Sequence, residues 1–138
     1  ENLRKLCGFD VSDIMLDEAW NAMILDFPSD RIAILDKLYL DYRIFLLSNT
    51  NQIHIDYCML NPNFQIIKSK FEKVYLSHEI HMRKPNVETY EFVLNDAQLQ
   101  ASQTLFIDDT IKNIDGAKRT GLIAYHLANG ETITDLFG

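Results

Sequence analysis

The sequence predicts an α/β protein built on a doubly wound parallel sheet, and three observations carry that expectation. Four short apolar runs rich in β-branched and aromatic residues recur along the chain: RIFLL (43–47), KVYLS (73–77), TLFID (104–108) and IAYHL (123–127). All but the second lack the period-two alternation of a half-exposed strand, as expected of strands covered on both faces. Helical stretches separate them, and alternation of this kind builds crossovers onto one parallel sheet.

Each element has its own justification. Residues 1–28 read as helical, starting in mid-helix at ENLRKL and continuing through DIMLDEAWNAMILDF. The break at FPSD is the best boundary in the chain, because proline and a cap residue interrupt the pattern there. DRIAILDKLYLDY sets Ile32, Leu35, Leu38, Tyr39 and Tyr42 at helical spacing behind Ser29 or Asp30 as N-cap. NPNFQIIKSKFE (61–72) fits a loop or a short helix. NVETYEFVLNDA places Val87, Tyr90 and Leu94 on one face behind Asn86. TIKNIDGAKRTG aligns Ile111, Ile114 and Lys118, with Gly121 as a natural stop.

Composition narrows the function classes. A chain of 138 residues fits one domain and is long enough for a core of its own. It is 47% hydrophobic and 24% charged, as soluble proteins are, and no apolar run nears the roughly 20 residues that span a bilayer. A formal charge of −7 disfavours nucleic acid and anionic membranes as partners. Cys7 and Cys58 share no metal-ligand spacing, so they read as reduced thiols of a cytoplasmic protein.

Open α/β sheets bind ligands at the carboxyl ends of their strands, and those ends hold the chemistry here. The first strand runs into Ser48, Asn49 and Thr50, where free N–H groups at a helix start suit an oxyanion. A plain strand-to-helix turn capped by Ser or Asn is the ordinary alternative. After the second strand, Lys84 precedes Pro85, which pushes it into extended geometry in a loop, either aimed at an anion or simply solvated. His78, Glu79 and His81 in that loop lack the H-E-x-x-H spacing of a zinc site and read as solvated histidines. The third strand ends in Asp108 and Asp109, which either cap the next helix or hold Mg²⁺, a hard cation that takes carboxylate, water and phosphate oxygens. Asn113, on the first turn of that helix, can reach either carboxylate. Oxyanion donors, a cation and a metal seat at successive strand ends together form a kit for phosphoryl transfer.

With those residues in place, the sequence resembles the haloacid dehalogenase-like (HAD) hydrolase superfamily. FLLSNTN is similar to its second motif, RKP to its third and FIDDTIKNIDGAKRTG to its fourth. LSNTNQIH, YLSHEIHMRKP and DDTIKNI resemble the bacterial branch that includes α-D-glucose-1-phosphate phosphatase. The resemblance implies a Rossmann-like core over residues 29–138, with residues 1–28 as the last part of a helical cap. It implies that Ser48 and Asn49 hold the phosphoryl group and that Lys84 neutralises charge on nucleophile and phosphate. It further implies that Asp109 ligates Mg²⁺ with Asp108 beside it, and that Asn113 orients the carboxylates. Trp20 and Met23 either pack in the cap or face the leaving group.

One motif is missing. The family's Asp-x-Asp, whose first aspartate forms the aspartyl-phosphate and whose second is the general acid/base, occurs nowhere in the 138 residues. Its strand lies mid-sheet in the family, between those ending here at Leu47 and Asp108, and without it two apolar edges stand open. The expectation is therefore a piece of a protein of about 200 residues that lacks about 60–70 N-terminal ones. The expected function is Mg²⁺-dependent hydrolysis of a small phosphorylated metabolite such as a sugar phosphate, completed by that missing segment. A non-catalytic phosphate- and metal-binding module is the alternative. A receiver domain carries its acidic pair and Lys-Pro in the opposite order, and a metal-free dehalogenase has no use for the Asp108–Asp109 pair.

Overall fold

A computed structural model describes residues 11–138. Helix α1 (Asp13–Asn21) starts at Ser12, whose side chain accepts from the Met15 backbone N–H. Helix α2 (Ser29–Asp41) then leads into strand β1 (Phe45–Ser48). Helices α3 (Gln52–Met59) and α4 (Pro62–Lys70) carry the chain to strand β2 (Lys73–Leu76), followed by a one-turn helix α5 (Ser77–Ile80) and helix α6 (Val87–Asp96). A 3₁₀ turn (Ala101–Gln103) precedes strand β3 (Leu105–Asp108), helix α7 (Ile111–Lys118), strand β4 (Ile123–His126) and the short helix α8 (Ile133–Phe137).

All four expected strands form, each within two residues of its expected ends. They do not make one sheet. β1 pairs in parallel with β2, and β3 in parallel with β4, as two separate two-stranded sheets. Among the described residues no ladder joins β1 to β3. This corrects the expectation of strands buried on both faces. No residue of β1 or β3 is fully buried, and only Tyr75 and Leu76 of β2 are. An edge with no neighbour leaves its side chains half covered.

Packing rather than backbone pairing holds the halves together. Tyr90 of α6, Ala117 of α7 and Leu122 form the buried centre, and Leu47 of β1 packs on it alongside Phe106 of β3 and Ala124 of β4. The Tyr90 and Phe106 rings meet edge to face with centres 5.3 Å apart, and Tyr90 donates its hydroxyl to the Asn113 carbonyl at 2.8 Å. Burial and the nearby Asp108 charge push the Tyr90 phenol up to about 12, so it stays a donor at any physiological pH.

Several local expectations shift. α1 ends at Asn21, so the helical reading of residues 22–27 fails, and ENLRKL and Cys7 lie outside the described residues. α2 starts after Pro28 rather than after Ser29 or Asp30. Its buried residue is Ile34, whereas Tyr39 and Tyr42 face solvent. Residues 62–70 settle as helix, with Pro62 at the first position, where its missing N–H is not needed. On α7, Ile114 is buried but Ile111 is 52% exposed. Gly121 lies past the end of α7 at φ +83°, the conformation glycine supplies at low cost. Among the described residues no helix is long and apolar enough to cross a membrane. Cys58 is a buried free thiol, its pKa raised by burial.

Candidate active site

The carboxyl ends of β1, β2 and β3 converge on Lys84, and neighbouring elements fix both its main chain and its side chain. Asn49, just past β1, clamps the Lys84 backbone at two points. It accepts from Lys84 N–H at 2.9 Å and donates to the Lys84 carbonyl at 2.8 Å. Ser77, at the end of β2, bridges to Thr50 in the same manner, with its hydroxyl accepting from the Thr50 N–H at 3.0 Å and donating to the Thr50 carbonyl at 2.9 Å. The loop behind Lys84 is tied down by Thr89, fully buried, which donates its hydroxyl to the Arg83 carbonyl at 2.9 Å.

The Lys84 ammonium crosses from the β1–β2 half to the β3–β4 half. It pairs with Asp108 Oδ2 at 2.6 Å and lies 5.5 Å from the centre of the Phe106 ring. The two side chains are 10% and 6% exposed, so water screens the pair little. The other Asp108 oxygen accepts from Asn113 Nδ2 at 2.9 Å and from the Thr110 N–H at 2.8 Å. Burial pushes the Asp108 carboxyl up, but the bonds from Lys84, Asn113 and Thr110 together outweigh it and hold the group below its ordinary value.

Asp109 is placed differently. It is exposed, its carboxylate accepts from the Thr110 hydroxyl at 3.3 Å, and its backbone carbonyl accepts from His126 Nε2 at 3.1 Å. The two adjacent carboxylates thus divide their tasks. The Asp108 side chain is buried, paired with Lys84 and bonded to the Thr110 N–H just ahead of α7, while Asp109 is exposed. Ser48, half-buried, closes β1 opposite Leu76.

The structure therefore links Asn49, Lys84, Asp108 and Asn113 through direct contacts, with Ser48 at the carboxyl end of β1 and Asp109 just past that of β3. The Asn49 amide spends both its polar ends on Lys84. The reading of His78 and His81 as solvated loop histidines is corrected. His78 sits in helix α5 with both ring nitrogens buried, and only His81, left-handed at φ 55°, is exposed. The strand KVYLS likewise stops at Leu76, and Ser77 opens α5. Trp20 lines the cleft beside Asn49, whereas Met23 is 61% exposed and does not line it.

Sequence reasoning missed Gly116. A Cβ there would sit 2.4 Å from the Pro85 carbonyl oxygen and 3.0 Å from the Tyr90 ring, so only glycine lets α7 approach the Lys84–Pro85 loop. The signal was a lone glycine inside a helical pattern, which marks close backbone approach. Gly116→Ala adds helix propensity, yet it is expected to lower stability by about 1–3 kcal/mol through overpacking. Urea unfolding checks the sign; a stabilised variant would show that the loop gives way freely.

Comparison with known proteins agrees with this geometry. The haloacid dehalogenase-like hydrolase family matches residues 21–125. A D-ribitol-5-phosphate phosphatase of Bacteroides thetaiotaomicron is 28% identical over 134 residues, covering 94% of this chain and 65% of that protein. The chain thus spans just under two thirds of that curated relative. A HAD family enzyme of Bacteroides thetaiotaomicron, crystallised with magnesium and inorganic phosphate, superposes with a TM-score of 0.88 at 37% identity, over 98% of this chain and 70% of its own. A HAD-like hydrolase of Porphyromonas gingivalis gives 0.85 at 32% identity, over 98% and 69%. With the family covering most of the chain and these relatives nearly all of it, the chain belongs to the haloacid dehalogenase-like hydrolase family.

Proposed function

We propose that this chain supplies three walls of the active site of a Mg²⁺-dependent phosphomonoester hydrolase, acting on a small phosphorylated metabolite of the sugar- or polyol-phosphate kind. The observation that carries the proposal is the Lys84–Asp108 pair, which bridges two half-sheets that no backbone ladder joins among the described residues. A buried ion pair spanning an open gap makes physical sense when a further group shares it. The relatives add weight, since one is a phosphatase of a polyol phosphate and another binds magnesium with phosphate.

Magnesium fits the donor set. Asp108 and Asp109 offer hard oxygens at one strand end, and Asp109 is open to solvent. Among the described residues no three His, Cys, Asp or Glu side chains gather around one point, so the remaining ligands come from water, phosphate and a further segment. When bound, the ion supplies positive charge that stabilises the phosphoryl oxygens in the transition state. Ser48 and the backbone N–H groups after β1 bind those oxygens. Lys84 neutralises charge between Asp108 and the phosphate, with Asn49 fixing its main chain. Asn113 keeps Asp108 in the rotamer that receives Lys84.

The nucleophile comes from outside these 138 residues, on a strand that inserts between β1 and β3 and carries Asp-x-Asp at its end. Its first aspartate attacks phosphorus and expels the alcohol, to which the second gives a proton; water then hydrolyses the acyl phosphate. Helix α1 and the segment that joins it to α2 form the described end of a cap that screens the site from water. The protein works in the cytoplasm, where Cys58 stays reduced. The test is phosphate release from p-nitrophenyl phosphate and a panel of sugar and polyol phosphates by the full-length protein with Mg²⁺. Turnover that EDTA abolishes is expected; no turnover of any ester would favour a binding module that keeps the pocket without the chemistry.

A further inference from the structure

We propose that His126 is a positioning residue for the Mg²⁺ seat, holding the stretch of main chain that carries the Asp109 carboxylate. The inference rests on the Mg²⁺-dependent reading above and gives a task to a residue which that reading leaves unused. His126 is half-buried, closes β4 and lies opposite Asp108 in the parallel register. Its Nε2 is 3.1 Å from the Asp109 carbonyl oxygen. A carbonyl only accepts, so Nε2 carries the hydrogen in this contact.

The need for such a contact follows from where Asp109 stands. β3 ends at Asp108, whose carbonyl still receives a ladder-like bond from the Leu127 N–H at 3.0 Å. α7 begins at Ile111, and the Thr110 carbonyl ahead of it accepts from the Asn113 and Ile114 N–H groups at 2.9 and 3.2 Å. Asp109 falls between the two patterns, and a side chain supplies the donor for its carbonyl. His126 and Leu127, consecutive in sequence, thereby grip the consecutive carbonyls of Asp109 and Asp108. The base of that grip is itself tied down. Past it the chain turns back, the Ala128 N–H donating to Glu131 Oε2 and the Glu131 N–H to the Ala128 carbonyl, both at 3.0 Å.

The two carboxylates receive different kinds of support. That of Asp108 is fixed directly, by Lys84, Asn113 and the Thr110 N–H. Asp109 is exposed, and the Thr110 hydroxyl stands at a long 3.3 Å from its carboxylate. The placement of that carboxylate therefore depends on its main chain. Mg²⁺ tolerates little distortion, holding its ligands at about 2.0–2.1 Å in an octahedron. A ligand whose backbone is already in place loses less freedom when the ion binds.

The test is Mg²⁺ binding to the full-length protein, read by titration calorimetry in the presence of inorganic phosphate, for wild type, His126→Phe and His126→Gln. The Mg²⁺ dependence of p-nitrophenyl phosphate hydrolysis is followed in the same preparations. His126→Phe should weaken Mg²⁺ binding about tenfold and raise the Mg²⁺ concentration for half-maximal turnover by a similar factor. KM for the ester at saturating Mg²⁺ should stay close to wild type, because Ser48 and Lys84 are untouched. The glutamine side-chain amide carries its donor at nearly the reach of His Nε2 and should restore most of the affinity. His126→Asn falls short of that reach and should not, and it stands in for phenylalanine if the larger ring does not fit.

Unchanged Mg²⁺ binding in folded His126→Phe or His126→Asn, or a glutamine variant as weak as these, would overturn the assignment. So would a wild type that binds no Mg²⁺. A lower melting temperature with Mg²⁺ affinity retained would also end it, leaving His126 as a brace of the turn. If Mg²⁺ binds and weakens as expected but no ester is hydrolysed, the phosphatase reading fails and the role of His126 stands.

Discussion

Asp109→Asn in the full-length protein is expected to lower Mg²⁺-dependent phosphate release by at least about 100-fold, because the metal contributes several kcal/mol of transition-state stabilisation. The same change should leave stability within about 0.5 kcal/mol, since Asp109 is exposed and its carboxylate is not part of the packed ion pair. Steady-state kinetics and urea unfolding of the same preparation separate the two effects. Activity within a few-fold of wild type would remove Asp109 from the metal seat. A large loss of stability would instead recast it as a structural cap of α7.

Lys84→Met should act on both quantities. It strands the Asp108 carboxylate, whose side chain is 6% exposed, with no cation beside it. Breaking a buried pair from one side costs about 3–5 kcal/mol, most of it the penalty of the abandoned charge. Adding Asp108→Asn to the same protein should recover much of that stability while activity stays lost, because no charge is then left unpaired. A double variant no more stable than the single one would show that packing around Lys84, rather than the Asp108 charge, carries the cost. The pair also sets an acid limit. The Asp108 carboxyl is depressed below its ordinary value of 3.8, so its contribution is fully present above that pH and fades as acid protonates it in the folded state. Urea unfolding between about pH 5 and 2.5 should show wild type losing stability faster than Asp108→Asn.

What could be read from the chain, and what could not, follows from how far each signal reaches. The strands were visible because β-branched and aromatic runs bounded by turns mark them locally. The residues at their ends were visible because chemistry clusters at carboxyl ends of parallel strands. That the strands fall into two separate pairs, β1–β2 and β3–β4, is not a local property and was not written in any one run. Helix faces were read less well. In α2, apolar spacing favours the Tyr39 and Tyr42 stripe as readily as the one containing Ile34, and only tertiary packing decides between them. Tyr39 ends up outside, near the Lys70 ammonium.

The least visible features depend on distant segments meeting. Periodicity cannot show that Gly116 faces the Pro85 carbonyl, nor that Asn49 spends its amide on the Lys84 backbone. It cannot show that His54 and His78, 24 residues apart in sequence, share one cleft with Trp20. The two adjacent carboxylates, by contrast, were ambiguous in sequence for a reason the geometry explains. Capping and metal binding were offered as alternatives, and the two carboxylates differ in place: Asp108 bonds to Lys84 and the Thr110 N–H, while Asp109 is exposed.

The intact mass and N-terminal sequence of the polypeptide purified from its native source bear most directly on whether this half-site is completed by a nucleophile-bearing strand. Residues preceding Glu1, with an apolar run ending in Asp-x-Asp, are the expected result, in the same polypeptide or in a tightly bound companion. A polypeptide that begins at Glu1 and has no companion would leave Lys84, Asp108 and Asp109 without a nucleophile to serve, and the phosphatase reading would fall.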